Sequence, residues 1–600
     1  MRDKKQLTIY SLLFVLAIII RLALIPNPGF EADISFWKSW GLATYDKGIV
    51  EGMKATNNNY PTPFAYSLGA MVKLYSFFKD PHIFNDFWKN TNLLFLTISK
   101  LFPILADIGI AGIILYIGKN TKELGFPTVP SIGYWVLSIG YLLNPISIID
   151  GAVWGQVDSV GLFIFLLAFL ALLKRWSFVA GLIFMLSMMT KLQNMIYAPL
   201  FFLFAFQYGG FKFLIQTIAG ALTSFVGLNI EFILTKNADR IFASLTENYD
   251  YFPWMSLNAY NLWWIVTGAK GMATSDKLSV IGMVNAKTVG LLLFSCFYLF
   301  AVIRQLALSV KLDKLVLLKT FLEGIIIINA SFFLFQTQSH DRYAFPLSVF
   351  LLLWAPFIRN KKLFIIFYSI FTVLYFYNLH TALVVNYPNN GIPFLSLLTG
   401  PIFTITTSFV LLGLFGVFLF TLIKSSRLTV NCLLLSVSII TGGLIFLNLP
   451  LFTKKPISLN SLTPYVSEQS YGTRQTNRTV QSSFGGPNSW TRLSVQYAFY
   501  NTGLGSHAPS KYTYNINKNF TRFETDFGID TESGTKASAI FEIYGDDKLL
   551  FQSKKMGRFD LPKHTSVNVS GITNLTLKTT DAGDGNTDDH TDWLNPKLFP

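Results

Sequence analysis

Two adjoining stretches decide how the chain is read: Leu7–Ile25, LTIYSLLFVLAIIIRLALI, and, just beyond it, Gly29–Gly41, GFEADISFWKSWG. A membrane span needs about 20 mostly apolar residues, within roughly 17–25, and the first stretch has that length. Arg2, Lys4 and Lys5 precede it like the basic start of a secretory signal. Pro26, Asn27 and Pro28 follow, not a small-residue cleavage site, so it reads as a retained span. Glu31 and Asp33 then stand just past the membrane boundary, ahead of Trp37 and Trp40, whose amphipathic rings suit an interface. A carboxylate there can act as general base on a substrate with its tail in lipid and its head in water. That role is assigned to Asp33, with Glu31 beside it. Most loop charges only meet water, so support has to come from the rest of the chain.

Composition sets the class. The 600 residues are 52% hydrophobic and 14% charged, with mean hydropathy +0.44, against about 25% charged in ordinary soluble proteins. The chain is a polytopic membrane protein. Its two cysteines, Cys296 and Cys432, lie inside apolar runs, which excludes a disulfide framework or a zinc cluster. The net charge of +15 is uneven: residues 451–600 hold 16 Lys+Arg against 14 Asp+Glu, and the first 450 hold 32 against 19. Scattering of the basic residues among the spans argues for anionic lipid and against nucleic acid.

Apolar runs occur at Leu7–Ile25, Leu93–Ile117, Ile132–Ile149, Val160–Leu173, Phe213–Leu234, Val289–Leu308, Leu315–Phe335, Tyr343–Phe357, Leu363–Leu379, Ile402–Ile423 and Val430–Leu449. Phe178–Phe206 is too long for one straight span and carries Lys191, Gln193 and Asn194 at its middle, where charge is costly. Divided at Thr190–Asn194 it gives two short helices and about 13 transmembrane helices in all. With the N-terminus cytoplasmic, Lys119, Lys174, Arg175, Lys212, Arg304, Arg359, Lys424 and Arg427 then fall inside, the expected bias. The odd count puts the C-terminal domain outside the cell, as part of an integral plasma-membrane protein. The outer segments are Pro26–Asn92, Lys236–Lys287, Gln336–Arg342 and His380–Gly400.

Beyond Pro450 and Pro456 the pattern changes. Alternation at Thr521, Phe523, Thr525 and Phe527, at Ala539, Phe541 and Ile543, at Val567 and Val569, and at Leu575 and Leu577 predicts an all-β sandwich. The expected domains are residues 1–452 and 459–600.

Four polar stretches fall on the outer face. Asn144–Ser159, NPISIIDGAVWGQVDS, breaks its helix at Pro145 and Gly151 and offers Asp150, Gln156 and Asp158 as substrate contacts. Lys191 and Gln193 lie in the turn TKLQN. The lysine either snorkels or meets a phosphate as a point charge. Glu247–Trp264, ENYDYFPWMSLNAYNLWW, offers Tyr249, Asn258 and Asn261 among aromatics, a composition that suits sugars and suits an interfacial aromatic belt equally well. Ser339–Tyr343, SHDRY, sets Arg342 on the outer side against the inside bias, with His340 and Asp341 to fix it. There is no Walker loop, HExxH or supported GxSxG.

EADISFW, GAVWGQVDS, TKLQN, NAYNLWW and SHDRYAFP, in this order, resemble the GT-C superfamily of membrane glycosyltransferases over residues 7–450, with particular likeness to bacterial relatives of the glycosylphosphatidylinositol mannosyltransferase II type. The resemblance implies a GT-C-like helical membrane fold and a sugar donor on a polyprenyl phosphate. Asp33 is then the base, with Glu31 as the competing acid, and Arg342, Lys191 and His340 bind the donor phosphate. Many GT-C members have two adjacent acids in the first loop; here Ala32 separates them. Residues 459–600 resemble the NPCBM module, grouped as carbohydrate-binding family 51, through GLGSHA, FTRFETDFGID, FEIYGDDKLLFQS and TDAGDGNTDDHTDW. That implies a β-sandwich for galactose-type sugars, with His507, Asp588, His590, Asp592 and Trp593 as its ligand edge. Asp581 and Asp584 either bind calcium or cap turns.

The expected function is therefore transfer of a sugar from a polyprenyl-phosphate-linked donor to a glycan, glycolipid or protein acceptor in the cell envelope. The expected partners are that donor, that acceptor and membrane lipid. No cofactor is required by any motif, though an acidic first loop could hold a divalent metal. The competing expectation is a glycolipid transporter or sensor with an external lectin-like domain. A transporter more often shows paired hydrophobic repeats, and none stands out.

Overall fold

The computed structural model describes residues 2–128, 131–246, 250–308, 313–483 and 491–600. They form two compact units: Met1–Ala273 with Leu293–Val437, and Thr274–Leu292 with Ser438–Pro600.

Lipid supplies no hydrogen-bond partner to the backbone, so apolar segments close their own bonds as helices. Among the described residues eight helices are long and apolar enough to cross a membrane: Leu93–Lys119, Gly133–Trp154, Leu192–Leu228, Ala286–Leu308, Lys314–Phe335, Lys361–Asn386, Pro401–Lys424 and Arg427–Leu447. Thr8–Leu24, Asp158–Leu173 and Ser177–Thr190 are shorter apolar helices. The expected break stands where Lys191 interrupts the pattern: one helix ends at Thr190, a 3-10 turn covers Leu192–Tyr197, and Ala198–Leu228 follows with a bend at Gly210.

Two expectations are corrected. Tyr343–Phe357 is not one long helix; Pro346 and Pro356 cut it into the 3-10 turn Asp341–Ala344, the buried helix Leu347–Trp354 and a further turn, Ala355–Phe357. The first outer segment is largely helical. Glu31–Lys54 and Thr62–Ser76 pack on each other around Trp37, Phe64, Leu68, Val72 and Tyr75, and Asn92 caps the next helix by accepting from the Phe95 amide at 3.2 Å.

Several charges inside the bundle are paired with an opposite charge. Arg21, on the first helix, has no exposed surface. Its Nε donates to Asp107 Oδ2 at 3.1 Å and its Nη2 to Ser147 Oγ at 2.9 Å, while the Tyr141 hydroxyl donates to Asp107 Oδ1 at 2.6 Å. Arg304 pairs with Glu323 at 2.7 Å, and Trp354 Nε1 donates to the same carboxylate at 3.1 Å.

The second unit is a two-sheet β-sandwich. One antiparallel sheet runs in the order Lys563–Asn568, Arg522–Ile529, His590–Phe599, Gly503–His507, Gln475–Thr476. The other runs Lys548–Gln552, Ser538–Gly545, Asn574–Thr580, Ser510–Asn515, Val466–Gln469. Phe523, Phe527, Phe541, Ile543, Leu575 and Leu577 meet between the sheets, on the faces the alternation assigned to the core.

The compact units depart from boundaries at 452 and 459. A hairpin, Ser279–Ile281 with Val284–Asn285, lies in sequence between two apolar helices and belongs with the sandwich. Met283 packs against its core, its amide donates to Asn448 Oδ1 at 2.8 Å, and Asn519 Nδ2 donates to the Gly282 carbonyl at 3.0 Å.

Breaking a buried ion pair strands its partner, at a cost of about 3–5 kcal/mol, whereas replacing both charges with apolar groups is often neutral. Arg21→Met should therefore sharply lower the unfolding temperature of the detergent-solubilised protein, and Arg21→Met with Asp107→Leu should recover most of the loss, as read by thermal unfolding monitored by circular dichroism.

Candidate active site

The site begins where the first outer segment meets the break after Asn144. Asn144 accepts from the Ile146 amide at 2.9 Å with Pro145 as first helical residue, and the chain then widens into a π-helical turn, Ile148–Trp154. Gly155, at φ +87°, closes it in the left-handed conformation; its amide and that of Gln156 both donate to the Asp150 carbonyl, at 3.0 and 2.9 Å. Gly29, at φ +65°, lies so close that a Cβ there would stand 2.4 Å from the Val153 carbonyl oxygen. Only glycine lets the two backbones meet. Phe30 then stacks on Trp154 at 5.0 Å.

This apposition fixes Asp33. Its Oδ2 accepts from Trp154 Nε1 at 3.1 Å and from Gln156 Nε2, and Arg342 Nη1 lies 4.0 Å from the same oxygen. Arg342 Nε is 3.9 Å from Asp158 Oδ2, and Lys191 Nζ is 3.1 Å from Asp158 Oδ1. Two cations thus alternate with two carboxylates contributed by four separate segments. Side-chain exposure grades across the row, from 0% at Asp158 and 7% at Lys191 to 14% at Arg342 and 22% at Asp33, so the open end is Asp33.

Burial opposes the charge on Arg342, but Asp33 and its other anionic neighbours outweigh it and raise the guanidinium further. Burial likewise opposes the charge on Lys191, but Asp158, Tyr60 and Tyr343 together outweigh it and raise the ammonium. Burial pushes Asp341 up to about 7. Burial, then Arg342 and Lys191, hold His340 well below the ordinary imidazole value. His340 is therefore neutral, not a third cation.

The remaining predicted residues divide. Glu31 is engaged by amides, Oε1 accepting from Asn390 Nδ2 at 3.1 Å and Oε2 from Asn90. Gln156 is turned to Asp33 by its amide nitrogen. Asp150 is fully enclosed, both carboxylate oxygens lacking a hydrogen-bond partner, so it does not face solvent as a substrate contact would. Asn261 is spent on structure: it caps the Trp264 amide at 3.1 Å and donates to the Phe333 and Gln336 carbonyls. Asn258 pairs through its backbone with His340 and accepts from Asn378 Nδ2 at 2.6 Å. Gln193 is half-buried, with an unpartnered Oε1. Tyr249 lies outside the described residues.

Sequence reasoning missed Trp154 as the fastener of Asp33, and missed the segment Tyr387–Asn390. There the Tyr387 hydroxyl accepts from the Ala32 amide at 3.0 Å and Asn390 Nδ2 donates to the Gly29 carbonyl at 2.7 Å. Close to Arg342 in sequence, Ala344 and Leu347 line an apolar cleft with Ala330, Phe333, Leu411 and Phe415.

In the sandwich, His507 and His590 are a cross-strand pair with rings 5.3 Å apart. His507 Nδ1 meets Ser470 Oγ at 2.9 Å, His590 Nδ1 meets Glu532 at 3.1 Å, and half-exposed Tyr471 lies edge-on to His507. Asp588 is exposed at their side. Asp592 and Trp593 are corrected. Both are buried, and Trp593 sits in the core against Phe541 at 5.2 Å, so it is no surface platform. Burial and the neighbouring Asp530 and Glu532 hold Asp592 well above the carboxylate range. Asp584 accepts from Lys555 Nζ at 2.6 Å and Ser538 Oγ at 2.8 Å, both distant in sequence, and Asp581 accepts from the Gly583 amide at 3.1 Å, a turn contact. Among the described residues no group of three or more His, Cys, Asp or Glu is placed to hold a metal.

Residues 455–599 match the family model described as NPCBM/NEW2 domain. The CBM51 of Clostridium perfringens GH95, solved in complex with methyl-galactose, is 28% identical over 24% of this chain and 99% of that chain, with a TM-score of 0.22. The CBM51-2 and INT domains of Clostridium perfringens ZmpB, solved in complex with GlcNAc, are 24% identical over 24% of this chain and 31% of that chain, with a TM-score of 0.22. The arabinosyltransferase EmbB from Mycobacterium smegmatis is 10% identical over 97% of this chain and 64% of that chain, with a TM-score of 0.27. Comparison with curated proteins gives no match.

A carboxyl raised on folding stabilises below its unfolded value and loses that contribution as pH rises toward its folded one. Asp592→Asn should therefore change the C-terminal unit less at pH 5 than at pH 8, where it should be clearly more resistant than wild type, as measured by limited proteolysis of the whole protein. Trp593→Ala should cost about 3–5 kcal/mol through the cavity it leaves, and appear in the same assay as loss of the unit.

Proposed function

We propose that the chain is a GT-C-type glycosyltransferase that moves a sugar from a polyprenyl-phosphate donor to an acceptor hydroxyl on the outer face of the membrane. The observation that carries the reading is Asp33, a carboxylate held by Trp154 and Gln156 with Arg342 4.0 Å from the same oxygen. A fixed base and a phosphate-binding cation thereby share one solvent-facing edge of a membrane bundle. Both fasteners take Oδ2, which leaves Oδ1 to accept the acceptor's proton.

As that hydroxyl oxygen attacks the anomeric carbon, the bond from carbon to phosphate oxygen breaks and the configuration inverts. The proton goes to Asp33 and the departing lipid phosphate gains the electron pair. Arg342 and Lys191 stabilise the growing phosphate charge in a site of low dielectric. Sugar phosphates leave readily, so positioning supplies much of the rate. The unpartnered Arg342 Nε supports a polar ligand there. The NPCBM/NEW2 match supports a glycan-binding role for residues 455–599, for which a galactose-type sugar is our reading.

Three measurements test this. Asp33→Asn should abolish transfer from the lipid-linked sugar pool of native membranes while lipid-linked sugar is still bound; unchanged transfer would leave the transporter or sensor reading. Arg342→Ala should weaken donor use by about 1.5–3 kcal/mol, roughly ten- to a hundred-fold in affinity, and Arg427→Ala should not. Cysteines placed at Met272 and Ser570, both exposed, should react in intact cells with an impermeant thiol reagent; protection of both until lysis would overturn the orientation.

A further inference from the structure

Lys100 has no exposed surface, lies outside the charge row, and is used by no step above. Its Nζ reaches three backbone carbonyls: Asn27 at 2.5 Å, Val153 at 2.8 Å and Ile25 at 3.2 Å. An ammonium has three donors, and each has an acceptor here. Ile25 and Asn27 follow the end of the first helix, where carbonyls lack intrahelical partners and a cation is favoured. Val153 lies in the last turn of the π-helical segment. One nitrogen therefore ties the strand of chain that leads into Asp33 to the residue next to Trp154. Gly155 leaves room for it, since a Cβ there would stand 3.3 Å from Lys100 Cγ.

We infer that Lys100 is a positioning residue: its ammonium staples the first outer segment to the 148–154 turn and so sets the distance between Asp33 and its fasteners, Trp154 and Gln156. The inference rests on the reading of Asp33 as the base. Lys100 touches neither Arg342 nor Lys191, so losing it should misplace the base and leave the phosphate cations as they are. That separates its effect on turnover from its effect on donor binding.

The test uses the full chain in nanodiscs. In Lys100→Met, hydrogen exchange of amides in residues 25–33 and 150–157 should speed at least tenfold while the helices Lys314–Phe335 and Pro401–Ser425 keep wild-type protection. With farnesyl-phosphoryl mannose and arabinose as donor probes, kcat should fall at least tenfold and the donor KM should change less than threefold. Unchanged exchange at both segments, or a rise in KM with kcat held, overturns the proposal. If Lys100→Met does not assemble, Lys100→Arg, which keeps the cation but cannot aim three donors from one nitrogen, is read the same way. Failure of both to assemble makes Lys100 a folding residue and also overturns the proposal. Asp33→Asn runs beside them: if it transfers sugar normally, the transferase reading fails, and the exchange arm still decides whether the staple exists.

Discussion

A charge inside a helix bundle in lipid needs polar partners, supplied here mostly by other segments, and much of this membrane unit follows from that requirement. Removing an ion from water costs several kcal/mol even after relaxation, recovered only by good geometry and additional hydrogen bonds. Arg21 meets Asp107 and Ser147, Arg304 meets Glu323, and Lys191 meets Asp158. Each pair joins two different segments and restrains how they slide or rotate on each other. Arg342 is the exception that makes a site. It stands between Asp33 and Asp158 at ion-pair distances too long for hydrogen bonds, with Nε unpartnered. A cation so placed is held in position yet still has donors to offer.

Much of this was legible in the residues. Lys191 in the middle of an overlong apolar run announced the break at 190, because a charge there has no place in a straight span. The two-residue alternation in the last 150 residues marked the inner faces of both sheets. Asp33, Asp158, Lys191 and Arg342 were all named as candidates, and they come together.

What was not legible has a physical pattern. Trp593 and Asn261 read as exposed ligands because aromatics and amides serve surfaces and interiors alike; only the packing shows one in a core and the other capping a helix. His340 read as a phosphate contact, and its surroundings leave it uncharged. Lys100 drew no notice at all, since a lysine near the end of an apolar run is ordinarily a snorkelling residue. Its three acceptors are main-chain carbonyls, which carry no signature in side-chain chemistry. Pairings between loops distant in sequence, such as Asn390 with Gly29, are equally silent in a single chain.

The hairpin at Ser279–Asn285 bears on how such a protein can be put together. Its Met283 packs, partly buried, against the hydrophobic interior of a sandwich whose other strands begin more than 170 residues later, and its backbone is held by Asn448 and Asn519. A β-sandwich cassette joined at the C-terminus alone would lack these contacts. The apparent fusion is therefore not a clean cassette junction. Exchanging residues 455–599 for another module would give up the contacts of a segment encoded upstream, and a cloning boundary drawn at the first residue of the family match would leave part of the compact unit behind.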